Sequence, residues 1–199
     1  VLDTVPDEPA LVVATPGAEP VAPAGYAAAL LLDGWALLDR PDLRAGEEAL
    51  RRWLTAAALV RPARDGGQVV LLAAPGLLPV ESLVRWDPLG HAERELADRS
   101  ALRLPPAARV ASLTGARADV EELLALTELP PGADVLGPVP VETPGGRPRA
   151  VGEEQRAVIR VPRAHGAALA AALKAGQGVR SARKGGEHVR VQIDPLDLG

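Results

Sequence analysis

Cysteine, methionine and phenylalanine are absent from this 199-residue chain. Without cysteine it holds no disulfide, no thiolate metal site and no cysteine nucleophile. Histidine is scarce as well: His91, His165 and His188 lie too far apart in sequence to suggest a metal cluster. The only Phe, Trp or Tyr residues are Tyr26, Trp35, Trp53 and Trp86, so none follows residue 86. Although 47% of the residues are hydrophobic, no run approaches the roughly 20 apolar residues of a membrane span. The start is acidic and proline-rich rather than basic then apolar, which does not read as a signal peptide. A chain that begins at Val1 and contains no Met reads as part of a longer polypeptide. The expectation is a soluble, cytoplasmic protein with no membrane partner.

Charge is present but unevenly placed. The total of 26 acidic and 22 basic side chains, net -4, argues weakly against a nucleic-acid partner. Residues 1–100 carry 15 acidic and 9 basic side chains, whereas residues 101–199 carry 11 and 13. Within 147–190 the basic residues are Arg147, Arg149, Arg156, Arg160, Arg163, Lys174, Arg180, Arg183, Lys184 and Arg190. Only Glu153, Glu154 and Glu187 oppose them, leaving +7 in one stretch. Such asymmetry points to an anionic partner.

The hydrophobic pattern divides the chain into three. In residues 1–78, Ala10–Thr15 and Ala27–Asp33 read as buried-type strands. Asp42 to Val60 reads as a helix with Leu43, Leu50, Trp53, Leu54 and Ala57 on one face, capped by Asp39 or Asp42 and stopped by Pro62. Gln68–Ala73 reads as a third strand, completing what looks like the tail of an open α/β sheet. Residues 79–104 read as a helical connector, with Asp87-Pro88 as a start signal and Glu95–Arg99 as an i,i+4 pair. Pro105-Pro106 marks a domain boundary. Residues 105–199 read as βαββαβ, a ferredoxin-like α+β arrangement. Its strands are Val110–Leu113, Val135–Val141, Arg156–Val161 and Val189–Ile193, and its helices Asp119–Leu129 and Ala164–Ala175. Proline inside Val135–Val141 marks that strand as an edge.

Catalytic motifs are missing. There is neither a G-x-x-x-x-G-K-[ST] phosphate loop nor a G-x-G-x-x-G after a strand. The pairs Gly66-Gly67, Gly145-Gly146 and Gly185-Gly186 read as turns, and Glu47-Glu48 and Glu121-Glu122 as solvated helix faces. His165 reads as a surface residue at a helix start. No nucleophile–base pair stands out. The basic stretch is the one chemical signal, because the guanidinium fork suits phosphate oxygens. Arg156 and Arg160 fall on one strand face, and Arg180, Arg183 and Lys184 crowd a glycine-rich turn. The alternative is a solvated surface in a composition of 20 Arg to 2 Lys. With no aromatic platform for bases, any DNA contact would read phosphate geometry and not sequence.

HAERELADRSALRLPP (91–106), VLGPVPV (135–141), RAVIRV (156–161) and VRVQIDPLDL (189–198) together resemble the C-terminal end of the PriA family of replication-restart helicases. The resemblance runs from about Pro9 to the end. It implies that residues 1–78 are the last part of a second RecA-like helicase lobe and that residues 105–199 are the family's C-terminal DNA-binding domain. Zinc and ATP are the cofactors it implies for the full-length protein, with none held in this chain. The partners it implies are forked or single-stranded DNA, single-strand-binding protein and primosome components. Departures from the family pattern occur in both segments: the basic-aromatic stretch expected before the Arg156 strand is GEEQR (152–156), and the last strand's acidic pair is reduced to Asp194, with Gln192 at the other position. The loop Pro16–Gly25 lacks the family's Lys-Gly pair. The arginines of the QxxGRAGR motif fall on Leu59 and Pro62, with Arg61 one residue displaced. Arginines of this type contribute roughly 10³–10⁵ in rate, so the sequence favours a helicase-like protein without helicase activity of its own. Two other readings stay open: a translocase in which Arg61 substitutes, and a protein-binding scaffold using the acidic segment.

Overall fold

The computed structural model describes residues 2–40, 42–141, 154–183 and 186–195. It is a mixed α/β chain with two sheets, dividing into compact units at Val1–Arg94 and Glu95–Leu198. Of the segments read from sequence, Gly145-Gly146 and Glu153 lie outside the described residues, as do Arg147, Arg149 and Lys184.

In the first unit, β1 (Ala28–Leu31) and β2 (Gln68–Leu71) form a two-stranded parallel sheet, with Leu30 opposite Val70 and Leu31 opposite Leu71. Between them run α1 (Gly34–Leu38) and α2 (Ala45–Ala57). Leu50, Trp53 and Ala57 recur at helical spacing and bury one side of α2 against Leu31, Leu37 and Leu83. Trp53 is 1% exposed and centres this core. Neither Asp39 nor Asp42 caps α2, whose N-cap is Arg44 with no side-chain cap bond; Asp42 instead accepts the Arg44 N–H at 2.9 Å, and the helix stops at Ala57, ahead of Pro62. The sequence reading missed α1.

Ala10–Thr15 is a correction. It forms no strand, and Leu11 and Val13 are each 90% exposed. A parallel-type strand needs a neighbour to satisfy its backbone and cover its side chains. Among the described residues, β1 pairs with β2 alone.

Two helices follow, α3 (Leu78–Arg85) and α4 (Pro88–Ala101). Asp87 caps α4, its carboxylate accepting the Gly90 N–H at 2.8 Å, with Pro88 at the first helical position. The Glu95–Arg99 pair closes at 2.8 Å.

The second unit contains β3 (Ala108–Gly115), α5 (Arg117–Leu126), β4 (Asp134–Pro140), β5 (Gln155–Pro162), α6 (Gly166–Ala182) and β6 (Arg190–Ile193). The strands lie in the order β4-β5-β3-β6, every pair antiparallel. β4 stands at an edge, and its register with β5 shifts between Leu136 and Val139, where Gly137-Pro138 interrupts the run. Alternation sends Ala157, Ile159 and Val161 of β5 into a core with Ala111, Leu113, Val120, Leu123, Leu169 and Leu173. Both helices therefore pack on one face of the sheet. Helix α6 starts later and runs further than the Ala164–Ala175 expected from sequence. Gly176 is the reason it passes its own glycines: a Cβ there would lie 2.7 Å from Thr127 Oγ1. The bare backbone lets α6 seat against the end of α5, and that packing outweighs glycine's poor helix propensity.

Candidate nucleic-acid interface

The pleat of β5 places Arg156, Val158 and Arg160 on the sheet face opposite the helices, as their even spacing requires. Register then extends that row across the sheet. Arg156 lies opposite Thr114 of β3, and Thr114 lies opposite Arg190 of β6. Two arginines thus flank one threonine on neighbouring strands. At the other end of the same face, Arg160 lies between Val110 and Asp134. Its guanidinium donates to the Asp134 carboxylate and, at 2.9 Å, to the Leu102 carbonyl. That hydrogen bond holds the Asp134 carboxyl below the ordinary carboxylate range.

The remaining basic residues divide by whether a carboxylate neutralises them. Arg180 is 6% exposed and sits within α6, not on the glycine-rich turn where the sequence reading put it. It donates to Asp119 and, at 2.6 Å, to Glu122, so half-buried Glu122 is ion-paired, while Glu121 beside it is exposed. Arg103, Arg109 and Arg117, outside the basic stretch, each pair with a carboxylate, of Asp134, Asp194 and Glu121 respectively. By contrast Arg163, Lys174, Arg183 and Arg190 are exposed, and no described carboxylate pairs with them. Arg163 precedes α6, Lys174 lies along it, Arg183 caps its C-terminus and Arg190 opens β6. Helix α6 has 17 residues, which at ~1.5 Å per residue separates its ends by about 25 Å. These four side chains are the cations a phosphate backbone could meet. Glu154 and Glu187 are exposed in the same unit. His165 is half-buried and its Nδ1 lies 2.8 Å from the Pro131 carbonyl, which it orients toward as a donor.

Among the described residues no three His, Cys, Asp or Glu side chains converge to hold a metal ion. Arg61 is exposed after α2, its backbone N–H donating to the Tyr26 carbonyl at 2.9 Å. An open recess of about 420 Å³ lies at the carboxyl ends of β1 and β2, lined by Trp35, Leu38, Leu72 and Leu77 with Asp39 as its one charged group. It is apolar and holds no nucleophile–base pair. No described helix is long and apolar enough to cross a membrane.

The sequence reading missed Asp119 and Glu122 as partners of Arg180. Their spacing from it, 61 and 58 residues, leaves no local pattern that would connect them.

Comparison with known proteins supplies the family. Residues 100–196 match the primosomal protein N C-terminal domain. The chain is 55% identical, over 96% of its length, to a protein of Mycobacterium leprae described as a probable replication restart protein PriA. It is 53% identical, over the same share, to proteins of that description from two strains of Mycobacterium tuberculosis. It spans only 30–31% of the length of these relatives. With its second unit matched by the family's own C-terminal domain, the chain belongs to the PriA family of replication restart proteins and corresponds to their C-terminal part.

Proposed function

We propose that this chain is the DNA-binding C-terminal part of a replication-restart protein. In this reading it recognises forked or single-stranded DNA at abandoned forks and helps reload the replicative helicase. It does so without helicase activity of its own. The observation that carries the proposal is the set of exposed cations without a carboxylate partner among the described residues, Arg163, Lys174, Arg183 and Arg190, within the family's C-terminal domain. Guanidinium and ammonium groups left without an internal partner are available to phosphate. Releasing the DNA's condensed counterions would then drive binding and make it salt-dependent. With no Phe, Trp or Tyr in the second unit, affinity comes from backbone contacts and carries little base information.

Two structural readings accompany this one. The antiparallel order β4-β5-β3-β6 with both helices on one face supports a ferredoxin-like module. The parallel β1–β2 pair joined through α1 and α2 supports a remnant of a RecA-like lobe. Leu59 and Pro62 at the motif's arginine positions support the absence of helicase activity. Contacts with single-strand-binding protein and primosome components belong to the same proposal, on the family resemblance.

Fork-DNA binding measured by fluorescence anisotropy across a salt series tests the DNA reading. Each contacting cation replaced by glutamine should weaken binding and reduce the slope of log K against log salt by about 1. Binding that ignores salt, or that survives replacement of all four cations together, would overturn it.

A further inference from the structure

Gly186 and Glu187, on the approach to β6, meet the carboxylate of Asp119. Asp119, in the first turn of α5, accepts a hydrogen bond from Arg180 Nη2, and the same oxygen, Oδ1, accepts the Glu187 N–H at 3.2 Å. Arg180 in turn grips Glu122 through Nε. Its side chain is 8% exposed and that of Asp119 13%, so water contributes little to holding either. Gly186, at φ +42°, completes the arrangement, because any Cβ on it would overlap Asp119 Oδ1 and Arg180 Nη2. Three elements thus meet at one ion pair: α5 through Asp119, α6 through Arg180, and the approach to β6 through Gly186 and Glu187. Two of the exposed cations flank this anchored segment, Arg183 where α6 ends and Arg190 where β6 begins.

Charge alone would make Asp119 unfavourable to a DNA-binding surface. We propose instead that Asp119, Arg180 and Gly186 form a positioning lock: they tie the approach to β6 to α5 and α6 and so present Arg183 and Arg190 to a DNA backbone, while Arg180 touches no phosphate. The lock rests on the DNA-binding reading above and adds to it a division of labour among the arginines. Arg180 is the most buried of the described cations in the basic stretch and acts through its neighbours. Two phosphate-binding side chains need a fixed separation to engage one backbone, and an anchored connection supplies it without ordering cost at the moment of binding.

The lock and a simple charge effect predict opposite signs. Asp119→Asn removes a negative charge close to the basic surface, so a surface acting through net charge binds DNA more tightly. A lock that has lost its anchor binds more weakly. The experiment measures fork-DNA anisotropy on this chain at several salt concentrations, with far-UV circular dichroism confirming the fold of each variant. Asp119→Asn should weaken binding at least five-fold while leaving the salt slope at its wild-type value, since no phosphate contact is deleted. Gly186→Ala should do the same with every charge in place, and it carries the prediction should Asp119→Asn lose its fold. Arg183→Gln and Arg190→Gln should each lower the slope by about 1. Unchanged or tighter binding by Asp119→Asn, with Arg183→Gln and Arg190→Gln still lowering the slope, overturns the lock and leaves the DNA reading standing. A flat salt response in the wild-type chain, indifferent to Arg183 and Arg190, overturns the DNA reading and the lock with it.

Discussion

Arginine does two unlike jobs in this chain, and the partner of each guanidinium decides which. Arg180 sits behind its protein surface with carboxylates on two of its nitrogens. Removing it leaves Asp119 and Glu122 facing each other without compensation. Arg180→Ala should therefore destabilise the second unit by about 3 kcal/mol, read as a lower urea midpoint in circular dichroism. Arg183→Ala, at an exposed position without a described partner, should stay within about 0.5 kcal/mol in the same measurement. Composition treats the two alike. Their difference arises because Asp119 and Glu122 arrive from a helix some 60 residues upstream.

Among the elements, α6 shows how close packing overrides propensity. Gly176 and Gly178 both cost helix stability in isolation, yet only Gly176 is pressed against another element. Gly178→Ala meets open space and should stabilise the second unit by up to about 1 kcal/mol. Gly176→Ala must displace Thr127 and should destabilise it by about 1–3 kcal/mol, the two variants thus moving the urea midpoint in opposite directions. Acid sensitivity also belongs to particular elements. In α2, hydrogen bonds from Arg51 and Arg52 hold the Glu48 carboxyl down at about 2. A group depressed in the folded state stabilises it above the unfolded value and loses that effect as pH falls. The Glu48 contribution is therefore complete well above pH 4.5, shrinks as pH falls towards 2, and is gone below about pH 2. Glu48→Gln should lower stability at pH 7 by about 0.5 kcal/mol, the range of an exposed pair, and match wild type below about pH 2. Thermal melts across that window check it. Asp134, held low by Arg160 across β4 and β5, adds acid sensitivity of the same sign to the second unit.

For the molecule as a whole, the two units differ in how completely each covers its own sheet. The first has two strands, and Leu30, Leu32, Val70 and Leu72 are between 52% and 63% exposed. The second has four strands and a core of fully buried side chains. Two-stranded sheets are marginal by themselves. The first unit should accordingly unfold at lower urea than the second. Composition provides a selective probe, since all three tryptophans lie in the first unit. Tryptophan fluorescence should report the early transition alone, while far-UV circular dichroism reports both. Coincident transitions by the two probes would contradict this.

Much of the second unit was legible in the amino-acid sequence. Two-residue alternation in Arg156–Val161, helical spacing in Val120 and Leu123, and Pro138 in an edge strand are local signals, and local signals determine element type. The +7 stretch and the PriA-like segments were equally plain, because charge and motif are properties of order along the chain. Ala10–Thr15 misled for the complementary reason. Its composition suits a strand, but a strand exists only beside a neighbour, and no local pattern shows whether that neighbour is present. The short helix α1 carried too few residues to establish a period. Only the tertiary structure decided which basic residues are spent inside the protein and which remain exposed. That choice depends on where Asp119, Glu122, Asp134 and Asp194 come to rest, and distant carboxylates reach their arginines through folding, not through spacing.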